Sequence, residues 1–129
     1  MTPELTALVL ACLVQVASVL AAGRAMGRDA GSQWSAGPRD EVPDFSVATR
    51  RLQRAAINGF EGLAFFTIAV LVLTLADKAG TLTALCGWVY VGARILYIPA
   101  YARGLAPGRS IIWGIGFLAT IIMLIASLL

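Results

Sequence analysis

The sequence predicts an all-α integral membrane protein, a single bundle of four transmembrane helices, and three observations carry that reading. Hydrophobic residues make up 59% of the 129-residue chain and charged residues only 13%, with a mean hydropathy of +0.83. A water-soluble domain of this size has too little interior to hide so much apolar surface. Four apolar stretches approach or exceed the length of about 20 residues that a helix needs to cross the hydrocarbon core. Arginine collects in two of the three connections between them, the pattern that orients a chain in a membrane.

The first span is residues 5–22, "LTALVLACLVQVASVLAA". The segment before it carries Glu4 and no basic residue, the wrong sign for a cleaved signal, so a retained helix is expected. Residues 23–50 form the only long connection, and "SAGPRDEVPD" within it is rich in turn residues. The second span covers 51–76 and stops at the turn "DKAG". The third covers 81–101, with Pro99 expected to kink or loosen its last turn. The fourth covers 110–129 and is apolar throughout, with Trp113 placed as an interfacial anchor. No internal repeat or linker interrupts the chain, and one domain over 1–129 is expected.

Loops one and three hold Arg24, Arg28, Arg39, Arg50, Arg51, Arg103 and Arg109, against only Lys78 on the other side. That imbalance places loops one and three, including 23–50, in the cytoplasm and both termini outside. The basic residues flank apolar spans and form no patch, which argues against a nucleic-acid partner. There is no histidine, which removes the commonest general base and metal ligand. Cys12 and Cys86 sit singly in apolar runs without metal-binding spacing, so no metal site is expected.

The second span opens with residues that are costly in lipid. At 100° per residue, Arg51, Arg54, Asn58 and Glu61 fall within an arc of about 80°. On the third span Tyr90, Arg94, Tyr97 and Tyr101 fall within about 60° by the same arithmetic. Polar groups at matching depth on two helices point to a shared site facing the bundle interior or a wet cavity. Arg54, Arg94 and Arg109 outnumber the one acid read as buried, Glu61, which favours a ligand carrying carboxylates. Asn58 and Glu61 are suited to a ligand ammonium or amide. A bland alternative pairs Arg54 with Glu61 structurally, leaves Arg51 to reach the headgroups, and makes Tyr97 and Tyr101 belt aromatics.

The run "RRLQRAAINGFE", or R-x-x-R-A-x-x-N-x-x-E from Arg51 to Glu61, resembles the second-helix signature of the MAPEG family, the membrane-associated proteins in eicosanoid and glutathione metabolism. "GPRDE", "ARILYIPAYARG" and "LAPGRS" resemble its members too, and "YIPAYARG" looks most like the bacterial branch. The resemblance covers essentially the whole chain. It implies a homotrimer in the bacterial inner membrane, with glutathione bound as cosubstrate between neighbouring subunits near the cytoplasmic face. Arg51, Arg54, Asn58 and Glu61 would hold glutathione, with Arg94, Tyr97 and Tyr101 lining the site. Arg109 would stand near the sulfur as the catalytic residue, and Ser110 would assist by hydrogen bonding. Ile57 and Gly62 depart from residues that other branches carry there.

The implied activity is that of a glutathione transferase or peroxidase acting on a lipophilic small molecule that arrives through the membrane lipid. Two other classes of function fit the same residues. A non-catalytic membrane protein binding lipid or a partner would use the polar face structurally. A small four-helix exporter would need Glu61 as a proton-coupling acid.

Overall fold

The computed structural model describes all 129 residues. It is all-helical, with no strand. The long helices are α1 (Pro3–Ala30), α3 (Val47–Leu75), α4 (Thr81–Ala102) and α5 (Gly108–Leu128), and a single turn of helix, α2 (Ser32–Ala36), lies in the first connection. The four long helices are each apolar and long enough to cross a membrane. They close a bundle in the order α1, α3, α5, α4 around the ring; α3 also touches α4 across the middle, whereas α1 and α5 do not meet.

The helix ends follow local chemistry. Thr2 caps α1, its hydroxyl accepting from the Leu5 amide at 3.2 Å, with Pro3 at the first helical position, where no amide is needed. Ser46 caps α3 through the Thr49 amide, also at 3.2 Å. The expectation that 23–50 is all connection is corrected: α1 runs on to Ala30 and α3 starts at Val47. Polar residues after Ala22 mark where the apolar span ends, not where the helix ends. Ala25 is still buried, the Gln53 side chain reaches Met26 Sδ at 3.3 Å, and Asp29 accepts from the Ser46 amide at 3.0 Å. Gly31, at φ 88°, then stops the helix. Pro99 does not interrupt α4, which ends three residues later at Ala102.

The apolar core is small-residue packing around two rings. Ala7, Ala11, Phe66, Ala69, Val70, Leu73, Tyr90 and Met123 fill it, and Tyr90 stacks on Phe66 at 4.0 Å between centroids. Gly87 lets α4 approach α1, since a Cβ there would lie 3.1 Å from that of Ala7. Close backbone approach of this kind holds helices together in lipid, where hydrophobic driving force between them is absent. The buried acid of the bundle is Glu4, 1% exposed. Its Oε1 accepts from the Thr83 hydroxyl and from the Gly80 amide at 3.2 Å, at the N-terminus of α4, where negative charge is favoured.

Candidate functional site

The polar residues converge at the arginine-rich end, between α3, α4 and the start of α5. Helix α3 supplies Arg54 and Asn58 one turn apart. Helix α4 supplies Arg94, Tyr97 and Tyr101 on successive turns of one face, and α5 opens with Arg109 and Ser110. Arg54 Nε donates to the Tyr101 hydroxyl at 2.9 Å. The Arg109 guanidinium stands over the same ring at 4.5 Å, and Tyr101 meets Tyr97 edge-on at 5.6 Å. Below them Arg94 lies over the Tyr97 ring at 4.3 Å and donates through Nη1 to Asn58 Oδ1 at 2.9 Å. Cations alternate with aromatic faces, whose negative quadrupole holds them without neutralising their charge.

Asn58, Tyr97, Arg109, Ser110 and Trp113 surround a cleft of about 240 Å³. That lies just below the roughly 300 Å³ at which small-molecule sites begin. A narrower cavity of about 20 Å³ runs behind it between Phe65, Tyr90, Arg94, Trp113 and Phe117. Tyr97 and Trp113 border both. Trp113, expected only as an interfacial anchor, stacks on Phe117 at 4.9 Å and forms the wall between polar mouth and apolar interior. The Gly62 departure fits this region, because a Cβ there would lie 3.1 Å from the Tyr90 hydroxyl.

Seven of the nine candidate residues thus come together: Arg54, Asn58, Arg94, Tyr97, Tyr101, Arg109 and Ser110. Arg51 does not join them. Its guanidinium packs against the turn after α4, 2.7 Å from where a Cβ on Gly104 would stand. Glu61 is not the buried acid expected: it is exposed on the single chain and hydrogen-bonds to nothing. The structural Arg54–Glu61 pair does not form either; the one ion pair of the molecule is Arg50–Asp44 at 3.5 Å. The reason is azimuth: the arc shared by these residues is wide enough that Asn58 turns inward while Glu61, on its far edge, turns out.

Two residues behind the site were missed. Gln15, in the middle of the first apolar span, is buried and donates to the Ala56 carbonyl at 2.7 Å. Gly59 makes room for it, since a Cβ there would collide with the Gln15 side chain and lie 3.0 Å from Arg94 Nη2. A lone amide in an otherwise apolar helix was the available signal, because lipid gives it no partner.

The family model of the MAPEG family matches residues 4–129. No curated protein and no solved structure matches the chain.

Proposed function

The chain belongs to the MAPEG family, and from that premise we propose that it is a glutathione-dependent transferase or peroxidase. It is an integral membrane protein of a family that includes glutathione transferases and peroxidases. The observation that carries the finer reading is the convergence of Asn58, Tyr97, Arg109 and Ser110 on one cleft, with Arg54 and Tyr101 at its rim. Arginine matches carboxylates in geometry and charge, and glutathione carries two of them.

Glu61 supports a homotrimer with the ligand between subunits. It stands seven residues beyond Arg54 on α3, about 10 Å of helix, where the apolar run that continues to Leu75 begins. A carboxylate facing lipid costs up to about 2.5–3.5 kcal/mol on insertion scales. A neighbouring subunit, with a ligand amine at the junction, would remove that cost and complete the half-open cleft.

In this reading the Arg109 guanidinium stabilises the glutathione thiolate. Arginine keeps its proton throughout, so it is no base; the thiol proton leaves to solvent. A free thiol titrates near 8.5, and a fixed positive charge beside it raises the thiolate fraction at neutral pH. The thiolate then forms a C–S bond to a lipophilic electrophile, either expelling a leaving group as an anion or adding to an activated double bond whose carbanion takes a proton from solvent. Alternatively it attacks the peroxide oxygen of a lipid hydroperoxide, and a second glutathione completes reduction to the alcohol, water and glutathione disulfide. The apolar side chains beside Trp113, those of Phe65, Ile112 and Phe117, suit a lipophilic partner. The arginine excess in loops one and three supports a cytoplasmic mouth, and the likeness of "YIPAYARG" to the bacterial branch supports a bacterial inner membrane.

Ultraviolet thiolate absorbance on mixing glutathione with the detergent-solubilised protein tests the reading. A saturable signal that disappears in Arg109→Ala is expected, with the oligomer intact. Undiminished thiolate in that variant would remove Arg109 from the mechanism; no signal in the wild type would leave a binding protein.

A further inference from the structure

Arg94 is 7% exposed and does not border the mouth cleft, yet it touches two residues that do. Nη1 bonds Asn58 Oδ1 at 2.9 Å, and the guanidinium lies 4.3 Å from the centre of the Tyr97 ring. Nη2 is buried without a partner, turned towards Gly59 and away from the mouth. Arginine is a donor at every nitrogen, so the Asn58 atom facing it is the carbonyl oxygen. The NH₂ group of Asn58 is thereby turned to the opposite side. It donates to nothing within the protein.

We propose that Arg94 is a positioning residue: it binds the Asn58 carbonyl so that Asn58 presents only N–H donors to the cleft, and the cleft therefore takes an oxygen acceptor of its ligand there, a carboxylate or a peptide carbonyl. This reverses the sequence-based expectation that Asn58 receives an ammonium or amide donor. It also changes the role of Arg94 from contact to support. A charge-assisted bond is stronger than a neutral one, and stacking on Tyr97 fixes the guanidinium plane, so the amide is held before any ligand arrives. The bond spans α3 and α4, which joins the two walls of the cleft at the depth where the ligand would bind. With Asn58 as donor beside Arg109 and the Ser110 hydroxyl, the mouth is complementary to negative charge along its length.

The ligand half of this inference rests on the glutathione reading; the amide orientation does not. Asn58 is the only asparagine in the chain, so selective ¹⁵N-asparagine side-chain labelling gives one NH₂ pair in the NMR spectrum of the solubilised protein. Glutathione is titrated against the wild type, Arg94→Met, Asn58→Ala and the double variant, with size-exclusion elution as the check on folding. The NH₂ pair is expected to shift in Arg94→Met even without ligand. Each single variant is expected to lose about tenfold in affinity, the scale of one charge-assisted bond. The double variant is expected to bind no more weakly than the worse single one. Losses that multiply to about a hundredfold would show Arg94 touching the ligand itself and overturn the proposal, as would an unmoved NH₂ pair. Were the wild type not to bind glutathione, that reading would fail, while the resonance shift alone still decides whether Arg94 holds Asn58. Arg94→Gln replaces Arg94→Met if the thioether is not accommodated.

Discussion

Tyrosine is used in opposite ways in two parts of the bundle. One turn along α4 from Arg94, on the side of the packed core, Tyr90 lies flat on Phe66 at 4.0 Å with the planes 10° apart, in one cluster with Leu73, Val70 and Met123. Towards the arginine-rich end Tyr97 and Tyr101 present their faces to Arg94 and Arg109 at 4.3 and 4.5 Å. The first arrangement buries both rings and has one carboxylate, Glu4, held by α4. The second leaves cations without carboxylates and a cleft open to one side. The same helices thus divide their length between a half that fixes the fold and a half that carries positive charge, unpaired with any carboxylate, around an open cleft.

The largest expected effect tests the first half alone. Phe66 is fully buried, and Phe66→Ala should cost about 3–5 kcal/mol through lost contacts and the cavity left behind. Unfolding in mixed micelles measures it. Glutathione affinity of the remaining folded protein should be unchanged if the halves are independent; a parallel fall in affinity would show that the packed half tunes the cleft.

Glu4→Leu comes next, at about 1–3 kcal/mol, because the two hydrogen bonds that tie α1 to the start of α4 are lost, although the Gly80 amide and the Thr83 hydroxyl keep their bonds to each other's residue. Glu4→Gln keeps an acceptor and should recover most of that loss in the same unfolding assay. Equal losses in both variants would mean that the charge at the α4 N-terminus, not the hydrogen bonds, is what matters.

Glu4 and Glu61 also show what could be read in advance. Hydropathy located all four spans, since a helix that crosses the hydrocarbon core needs about 20 mainly apolar residues. The 100° spacing located the polar faces of α3 and α4, and Asn58, Arg94, Tyr97 and Tyr101 meet because both faces turn to the same seam. Which acid is buried was not legible. Glu4 is enclosed by Thr83, seventy-nine positions along the chain, and no local pattern foretells that contact. Glu61 lies at the edge of an arc whose other members turn inward, and a few tens of degrees decide its side. The helical course of residues 23–30 was hidden for another reason: composition there reports the change of solvent, while the backbone continues because Ala25 and Met26 still have partners.

Gly59→Ala should be intermediate in its effect and reversed in kind. The added methyl displaces Gln15 and presses on Arg94 Nη2, an overpacking cost of about 1–3 kcal/mol that falls on the arginine-rich half. Gln15→Ala is expected to relieve it, since the void accepts the methyl group. A loss of glutathione affinity in Gly59→Ala that Gln15→Ala restores would place the buried amide and the cleft in one packing unit. Independent, additive losses would separate them.

The smallest effect concerns the turn that leads to Arg109. Gly104 has φ 68°, where a side chain costs about 1–2 kcal/mol, and the Arg51 guanidinium lies where its Cβ would project. Gly104→Ala therefore combines a backbone cost with a displaced Arg51. In an Arg51→Ala background only the backbone cost survives, so the difference between the two measures the contact itself. If Arg51 serves by bracing the α4–α5 turn, Arg51→Ala should weaken thiolate formation by letting Arg109 move, with glutathione affinity less affected than thiolate yield. If instead Arg51 swings from the turn to hold a ligand carboxylate, affinity should fall first and Gly104→Ala, by expelling the guanidinium from its resting place, should leave binding intact. Measuring affinity and thiolate absorbance on the same samples separates a brace from a ligand contact.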